Sequence, residues 1–191
     1  MSKIAVLTTV AFIVSGAALA DQAATPDPKV DEAKGLIKEF ATTLQGELQA
    51  AMKAGGPPQA IEVCQDRAPA IAADLSERSG WAVGRTSLKT RNVADNTPDA
   101  WETEVLTTFE ARKAKGEAVE TMAFGEVVET DAGKEFRFMK AIPTAKVCLA
   151  CHGSVITPEV TAALDEAYPQ DQARGYAEGD IRGAFSLSKP L

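Results

Sequence analysis

The chain has 191 residues, with 27 acidic against 20 basic side chains, one histidine and a formal charge of −7. Such a length suits one domain with a sizeable core. The acidic balance, with no basic stripe, removes nucleic acid from the candidate partners.

Residues 1–20 read as a cleavable export signal. Lys3 supplies the positive start, residues 4–14 are almost wholly apolar, and Ala18-Leu19-Ala20 forms an A-x-A cleavage site before Asp21. The apolar run is too short for a membrane span, and no other stretch approaches spanning length, so the mature chain is expected to have none. Residues 21–31, small and polar with two prolines, read as a flexible lead-in, and residues 32–191 as one domain.

Within that domain Leu36, Phe40, Leu44, Leu48 and Met52 recur every four residues and predict a long amphipathic helix, ended by Gly55-Gly56-Pro57-Pro58. Ile61, Cys64, Ala68, Ile71 and Leu75 share one face of a second helix closed by Ser79-Gly80. The two should pack as an antiparallel hairpin. Alternation at Trp81, Val83, Arg85 and Ser87 favours a strand, and residues 92–96 a loop. Thr97 is the expected N-cap of a third helix, with Pro98 at its first position and Asp99 and Glu102 in its first turn. Trp101, Val105 and Phe109 lie on its buried face, and Gly116 stops it after Arg112, Lys113 and Lys115. Residues 117–130 and 134–142 read as a β-hairpin turned by Asp131-Ala132-Gly133, with Phe136 and Phe138 inward. A short helix from Thr157-Pro158 to Tyr168-Pro169 and a last strand over residues 181–188 complete an α+β order.

Between that hairpin and the last helix stands Cys148-Leu149-Ala150-Cys151-His152. C-x-x-C-H is the signature of covalent c-type haem attachment. Two thiols add to the two vinyl groups, the intervening pair sets the sulfur spacing, and the adjoining histidine meets the iron as proximal ligand. One haem c, held by Cys148 and Cys151 with His152 on the iron, is therefore expected. A zinc site would need further ligands, and the chain has no second histidine and one other cysteine. Because covalent haem attachment takes place outside the bacterial cytoplasm, the motif and the export signal agree on the periplasm.

With one histidine, bis-histidine ligation within a subunit is impossible, leaving Met, Cys, Lys, an exogenous ligand or nothing for the sixth position. The late motif, with no methionine after Met139, does not match a small electron-carrier cytochrome, whose motif comes early. Cys64 on an apolar helix face reads first as a small buried hydrophobe and second as a ligand. Arg85, Lys89 and Arg91 read either as a propionate-binding edge or as ordinary surface charge. Met122 and Met139 read as core fillers; Trp101, Phe136 and Phe138 read first as core and second as pocket walls.

Four separated motifs carry a resemblance. They are Ala60-Ile61-Glu62-Val63-Cys64; Arg85 through Asn92 with Asn96-Thr97-Pro98-Asp99-Ala100-Trp101-Glu102; the haem motif with Gly153; and Gly175-Tyr176 through Gly179-Asp180-Ile181-Arg182-Gly183-Ala184. In this order they resemble the c-haem PAS-like domain family, found alone in the periplasm and as input domains of bacterial sensor proteins. The resemblance spans nearly the whole mature chain. It implies a PAS-like antiparallel sheet flanked by helices. It also implies a His/Cys-ligated haem, with Cys64 opposite His152. The functional expectation is a periplasmic redox or gas-responsive sensor, not an enzyme, acting through an unidentified redox or signalling protein. The alternative is a soluble low-potential electron-transfer cytochrome c.

Overall fold

The computed structural model describes residues 27–191; the signal and most of the lead-in lie outside them. Helix α1 (Pro28–Glu62) starts on Asp27, whose side chain accepts from the Lys29 amide, and is broken at Gly56, where φ is 72°. That left-handed value suits glycine alone, and Pro57 and Pro58 follow at once. Beyond the break the chain runs through a π-helical turn (Val63–Arg67) into α2 (Ala68–Ser79). Gly80, at φ 71°, caps α2.

The two limbs pack antiparallel. Arg78 reaches Glu39 at 2.7 Å and Arg67 reaches Glu47 at 2.7 Å. The buried face of the first limb is set by Ala33, Ile37 and Phe40, with Leu36 and Leu44 half-buried beside them. A strict four-residue stripe drifts about 40° per step around a 3.6-residue helix, so spacings of three and four keep the contact in line and the expected 36/40/44/48/52 stripe does not.

Four strands form one antiparallel sheet in the order β1-β4-β3-β2: β1 (Ala82–Thr86), β2 (Ala123–Thr130), β3 (Gly133–Pro143) and β4 (Ile181–Pro190). Alternation divides its faces. Val83, Phe136, Phe138 and Leu187 meet the helical hairpin together with Phe40, Ile71, Leu75 and Trp81. On the other face Met139, Ala141 and Ala184 meet Val105, Leu106 and Phe109 of α4 (Ala100–Ala114), with Met122 and Val119. Met122, Met139, Phe136 and Phe138 are thus core residues, and Trp101 lies at the rim of that second cluster.

Several boundaries differ from the sequence expectation. Residues 92–96 are not a plain loop: Val93–Asn96 form the single turn α3, capped by the Asn92 side chain. The cap of α4 is Asp99, not Thr97, because Asp99 and Glu102 make a reciprocal capping box. Residues 117–122 stay outside the sheet: Val119–Thr121 form a 3-10 turn whose Val119 is buried beneath the core, and β2 starts at Ala123. The β2–β3 connection is a two-residue loop, Asp131-Ala132, with Thr130 paired to Gly133.

Phe40, 1% exposed, holds the hairpin to the sheet. Phe40→Ala should cost roughly 3–5 kcal/mol, read as a lowered midpoint in denaturant unfolding.

Candidate functional site

The motif follows β3 directly. Lys146–Cys148 make a 3-10 turn and α5 (Leu149–His152) one α-turn, so the three-residue spacing puts both sulfurs on one side of a tight coil. Gly153 ends the turn, and a Cβ there would come within 2.6 Å of the Leu149 carbonyl oxygen. The segment is then held from outside. The Tyr176 amide donates to the His152 carbonyl at 2.9 Å and the Gly175 amide to the Gly153 carbonyl at 3.0 Å. Helix α6 (Pro158–Ala167), capped by Thr157, packs Val160, Leu164 and Tyr168 against Ile61, with Cys151 on the edge of the cluster. That contact carries the motif to the second limb of the hairpin, one turn from Cys64.

Cys64 sits in the π-helical turn. It lines a cavity of about 230 Å³ with Phe40, Val83, Arg85, Asn92 and Asn96. Burial pushes its thiol up, opposed by the charges of Arg85, Arg91 and Arg182. The Cys151 thiol is also pushed up by burial, opposed by Arg91. The Tyr168 hydroxyl is pushed up to about 12, first by burial and then by Cys64. Cys64 and the two motif thiols therefore lie close enough to act on one another electrostatically.

His152 is oriented through its ring. Its Nδ1 lies 2.8 Å from the Ala173 carbonyl oxygen, an acceptor only, so Nδ1 carries the hydrogen and Nε2 presents a lone pair. Burial, then Arg182 and Arg91, push the imidazole down to about 2, which keeps it neutral. The Arg182 Nε lies 3.2 Å from Nδ1 and 3.4 Å from Nε2. With Nδ1 protonated, the shorter of these is a stacking contact and only Nε2 can accept. Arg182 Nη1 also donates to the Ser87 hydroxyl at 3.1 Å, and Tyr176 lies edge-on to the imidazole at 6.2 Å.

The three cations singled out in the sequence fall in different places. Arg85 lies over the Phe40 ring at 5.2 Å on the cavity wall, and burial pushes its guanidinium down. Lys89 is exposed, with Nζ 5.1 Å from the Tyr176 ring. Arg91 is buried at 8% exposure and tied to the protein. It donates to Asp171 at 3.1 Å, to the Cys151 carbonyl at 2.6 Å and to the Ala173 carbonyl at 3.2 Å, with Nη1 3.4 Å from His152 Nε2. Arg182 and Asp171 were not singled out. A lone arginine eighty residues from its carboxylate has no local pattern, and only the position of Arg182 within the fourth motif could have drawn attention to it.

Among the described residues neither Arg85 nor Arg182 has a carboxylate within ion-pair distance, although burial pushes the Arg182 guanidinium down as well. Half-buried cations without an ion-pair partner favour an anionic ligand. Among the same residues no three His, Cys, Asp or Glu side chains converge as a chelating cage for a bare metal ion. Thiols, a neutral imidazole and uncompensated guanidiniums surround an enclosure instead. They suit a larger anionic group carrying a transition metal.

Fold and site together define an α+β domain of the PAS-like kind, with a Cys-Cys-His turn and a third cysteine both under the influence of nearby arginines. The chain belongs to the Tll0287-like family, whose model matches residues 21–190. The crystal structure of the cyanobacterial heme-protein Tll0287 matches with a TM-score of 0.65 at 23% identity, covering 88% of this chain and 98% of that one. At that identity the likeness speaks to the fold. No curated protein matches the chain.

Asp171 is 1% exposed in its side chain and balances Arg91 at 8%. Burial acts to raise its carboxyl, but hydrogen bonds from Arg91 and Arg174 hold it below the usual range. Asp171→Ala leaves the guanidinium buried and unpaired and should cost roughly 3–5 kcal/mol, measured by chemical denaturation.

Proposed function

We propose that this chain is a periplasmic c-type haem protein with one covalently attached haem and a redox or gas-responsive sensing role. In this reading Cys148 and Cys151 would hold the group, His152 Nε2 and Cys64 Sγ would ligate its iron, and Arg85, Lys89 and Arg182 would neutralise the propionates. The bound group would supply one-electron chemistry at its iron. The observation that carries the reading is the His152 ring. Nδ1 is committed to the Ala173 carbonyl, which leaves the ring's lone pair on Nε2, where Arg91 Nη1 and Arg182 Nε stand at 3.4 Å.

The residues divide the remaining work. Arg85 and Arg182 bring positive charge to carboxylates. Gly153 and the Tyr176 amide fix the motif turn so that thiols and imidazole face one way. The packing of Tyr168 and Leu164 on Ile61 keeps the Cys64 turn beside the motif. With His152 and Cys64 both holding the metal, the protein would offer no open site for substrate turnover until one of them left, so the reading is a sensor and not an enzyme.

What favours sensing over plain electron transfer is the element that carries Cys64. A π-helical turn between two regular helices is a local departure that concentrates at functional sites. It stands in the hairpin that covers a whole face of the sheet, so a change in sulfur ligation can reach the hairpin packing. Electron transfer is favoured by a different observation: Val147 and Val155, which flank the motif, are 64% and 90% exposed and offer apolar surface to a redox protein. No helix of the described residues is long and apolar enough to cross a membrane. The periplasmic assignment rests on residues 1–20 and on the chemistry of the motif.

Replacing Cys148 and Cys151 together by alanine should abolish haem that survives denaturing electrophoresis. Haem retained on that chain would remove the covalent reading. Cys64→Ala should eliminate the low-spin thiolate signal from the ferric paramagnetic resonance spectrum and raise the midpoint potential, since a thiolate favours the oxidised metal. An unchanged spectrum would make Cys64 a packing residue.

A further inference from the structure

We infer that Arg91 and Asp171 form a tuning relay for His152, acting through the carbonyl of Ala173; the inference rests on His152 being the proximal ligand. The Ala173 carbonyl oxygen accepts twice, from His152 Nδ1 at 2.8 Å and from Arg91 Nη2 at 3.2 Å. The same Nη2 donates to the Cys151 carbonyl at 2.6 Å. Asp171 closes the circuit: Oδ1 accepts from Arg91 Nε at 3.1 Å and from the Ala173 amide at 2.8 Å, and Oδ2 accepts from Arg91 Nη2 at 3.2 Å and from Arg174 Nε at 2.8 Å. Both peptide groups that meet at Ala173 are thus fixed by the ion pair, one through its N–H and one through its C=O.

The chemistry follows from sharing an acceptor. A histidine ligand grows more electron-donating as its second nitrogen makes a stronger hydrogen bond. A carbonyl already drawn on by a guanidinium has less electron density to offer Nδ1–H, because polar groups in a low-dielectric interior polarise one another. Arg91 therefore weakens the pull on Nδ1–H and keeps His152 a poorer donor. Asp171 limits that effect by neutralising Arg91. The two residues have opposite electronic influence although they make one structural unit; Arg91 Nη1 also stands 3.4 Å from His152 Nε2, and as neither is placed as a ligand, both are positioning residues.

Opposite influence separates the relay from plain support. Arg91→Gln should strengthen the Nδ1–H bond to Ala173, shift the His152 Nδ1–H proton resonance downfield and lower the midpoint potential. Asp171→Asn, which keeps an amide oxygen as acceptor, should do the reverse: an upfield resonance and a raised potential. Arg91→Lys, which retains the cation, should return both readouts towards the parent values. Shifts of the same sign in the Gln and Asn variants, or an unmoved resonance in both, would overturn the relay and leave the pair a structural clamp. A chain without covalent haem would overturn the proposed function instead. The relay would then be judged on the Nδ1–H resonance alone, with the same opposite signs required.

Discussion

Arg91 and Asp171 hold together three segments that share no strand or helix: the loop after β1, the motif turn and the loop before β4. The guanidinium reaches the Cys151 and Ala173 carbonyls, and the carboxylate reaches the Ala173 amide and Arg174. Desolvating two charges costs several kcal/mol per ion before their attraction is counted. An ion pair in this place is therefore a poor source of stability and a good source of geometry. It fixes a carbonyl at 2.8 Å from His152 Nδ1, and with it the tautomer that the proposed ligation needs. An apolar pair of similar volume would leave that carbonyl unplaced.

The sheet and its helices serve the same end. β3 and β4, the two central strands, end beside each other, with a register shift at Ile142 and Pro143. There the chain turns into the motif on one side and arrives from the Tyr176 loop on the other. Gly183 allows β4 to run against the Thr86 carbonyl, where a Cβ would collide. Arg182, the preceding residue, is thereby set over the His152 ring. Cys64 reaches the enclosure from the opposite side, on a limb pinned to the first by Arg67–Glu47 and Arg78–Glu39. The limb that carries Cys64 and the motif turn share one hydrophobic cluster, with Ile61 in it and Cys151 at its edge, which is how a change at one sulfur could be felt as a change in packing.

What the sequence revealed followed the range of the interactions involved. The motif, the amphipathic limbs, the Asp131-Ala132 turn and the Thr157-Pro158 start are encoded within a few residues and were legible. The cap of α4 was missed by two positions, because Thr97 and Asp99 are both good N-cap residues and only the reciprocal bond with Glu102 decides between them. Residues 117–122 read as the start of the hairpin strand but are captured by the core through Val119 and Met122, a tertiary effect that local sequence does not contain. The site divided in the same way. Cys148, Cys151 and His152 announce themselves, whereas the contacts Arg91–Asp171, Arg182–His152 and Ser87–Arg182 span 80, 30 and 95 residues.

Net charge is silent about the site for a related reason. A chain of formal charge −7 has an acidic average, yet Arg85, Arg91 and Arg182 all act on the Cys64 sulfur. The fold gathers cations from β1, the loop after it and β4 into one enclosure and leaves the acidic excess elsewhere. In the proposed haem protein this sets two influences against each other. A thiolate ligand favours the oxidised metal and lowers the potential, while nearby guanidiniums favour the reduced, less positive centre and raise it. Propionates would cancel part of the cationic contribution from Arg85 and Arg182, and Asp171 cancels part of that from Arg91. The residual field on the metal is then a small difference between large opposing contributions. A centre built that way responds strongly to the loss of one ligand or one ion pair, which suits a switch better than a carrier of fixed potential.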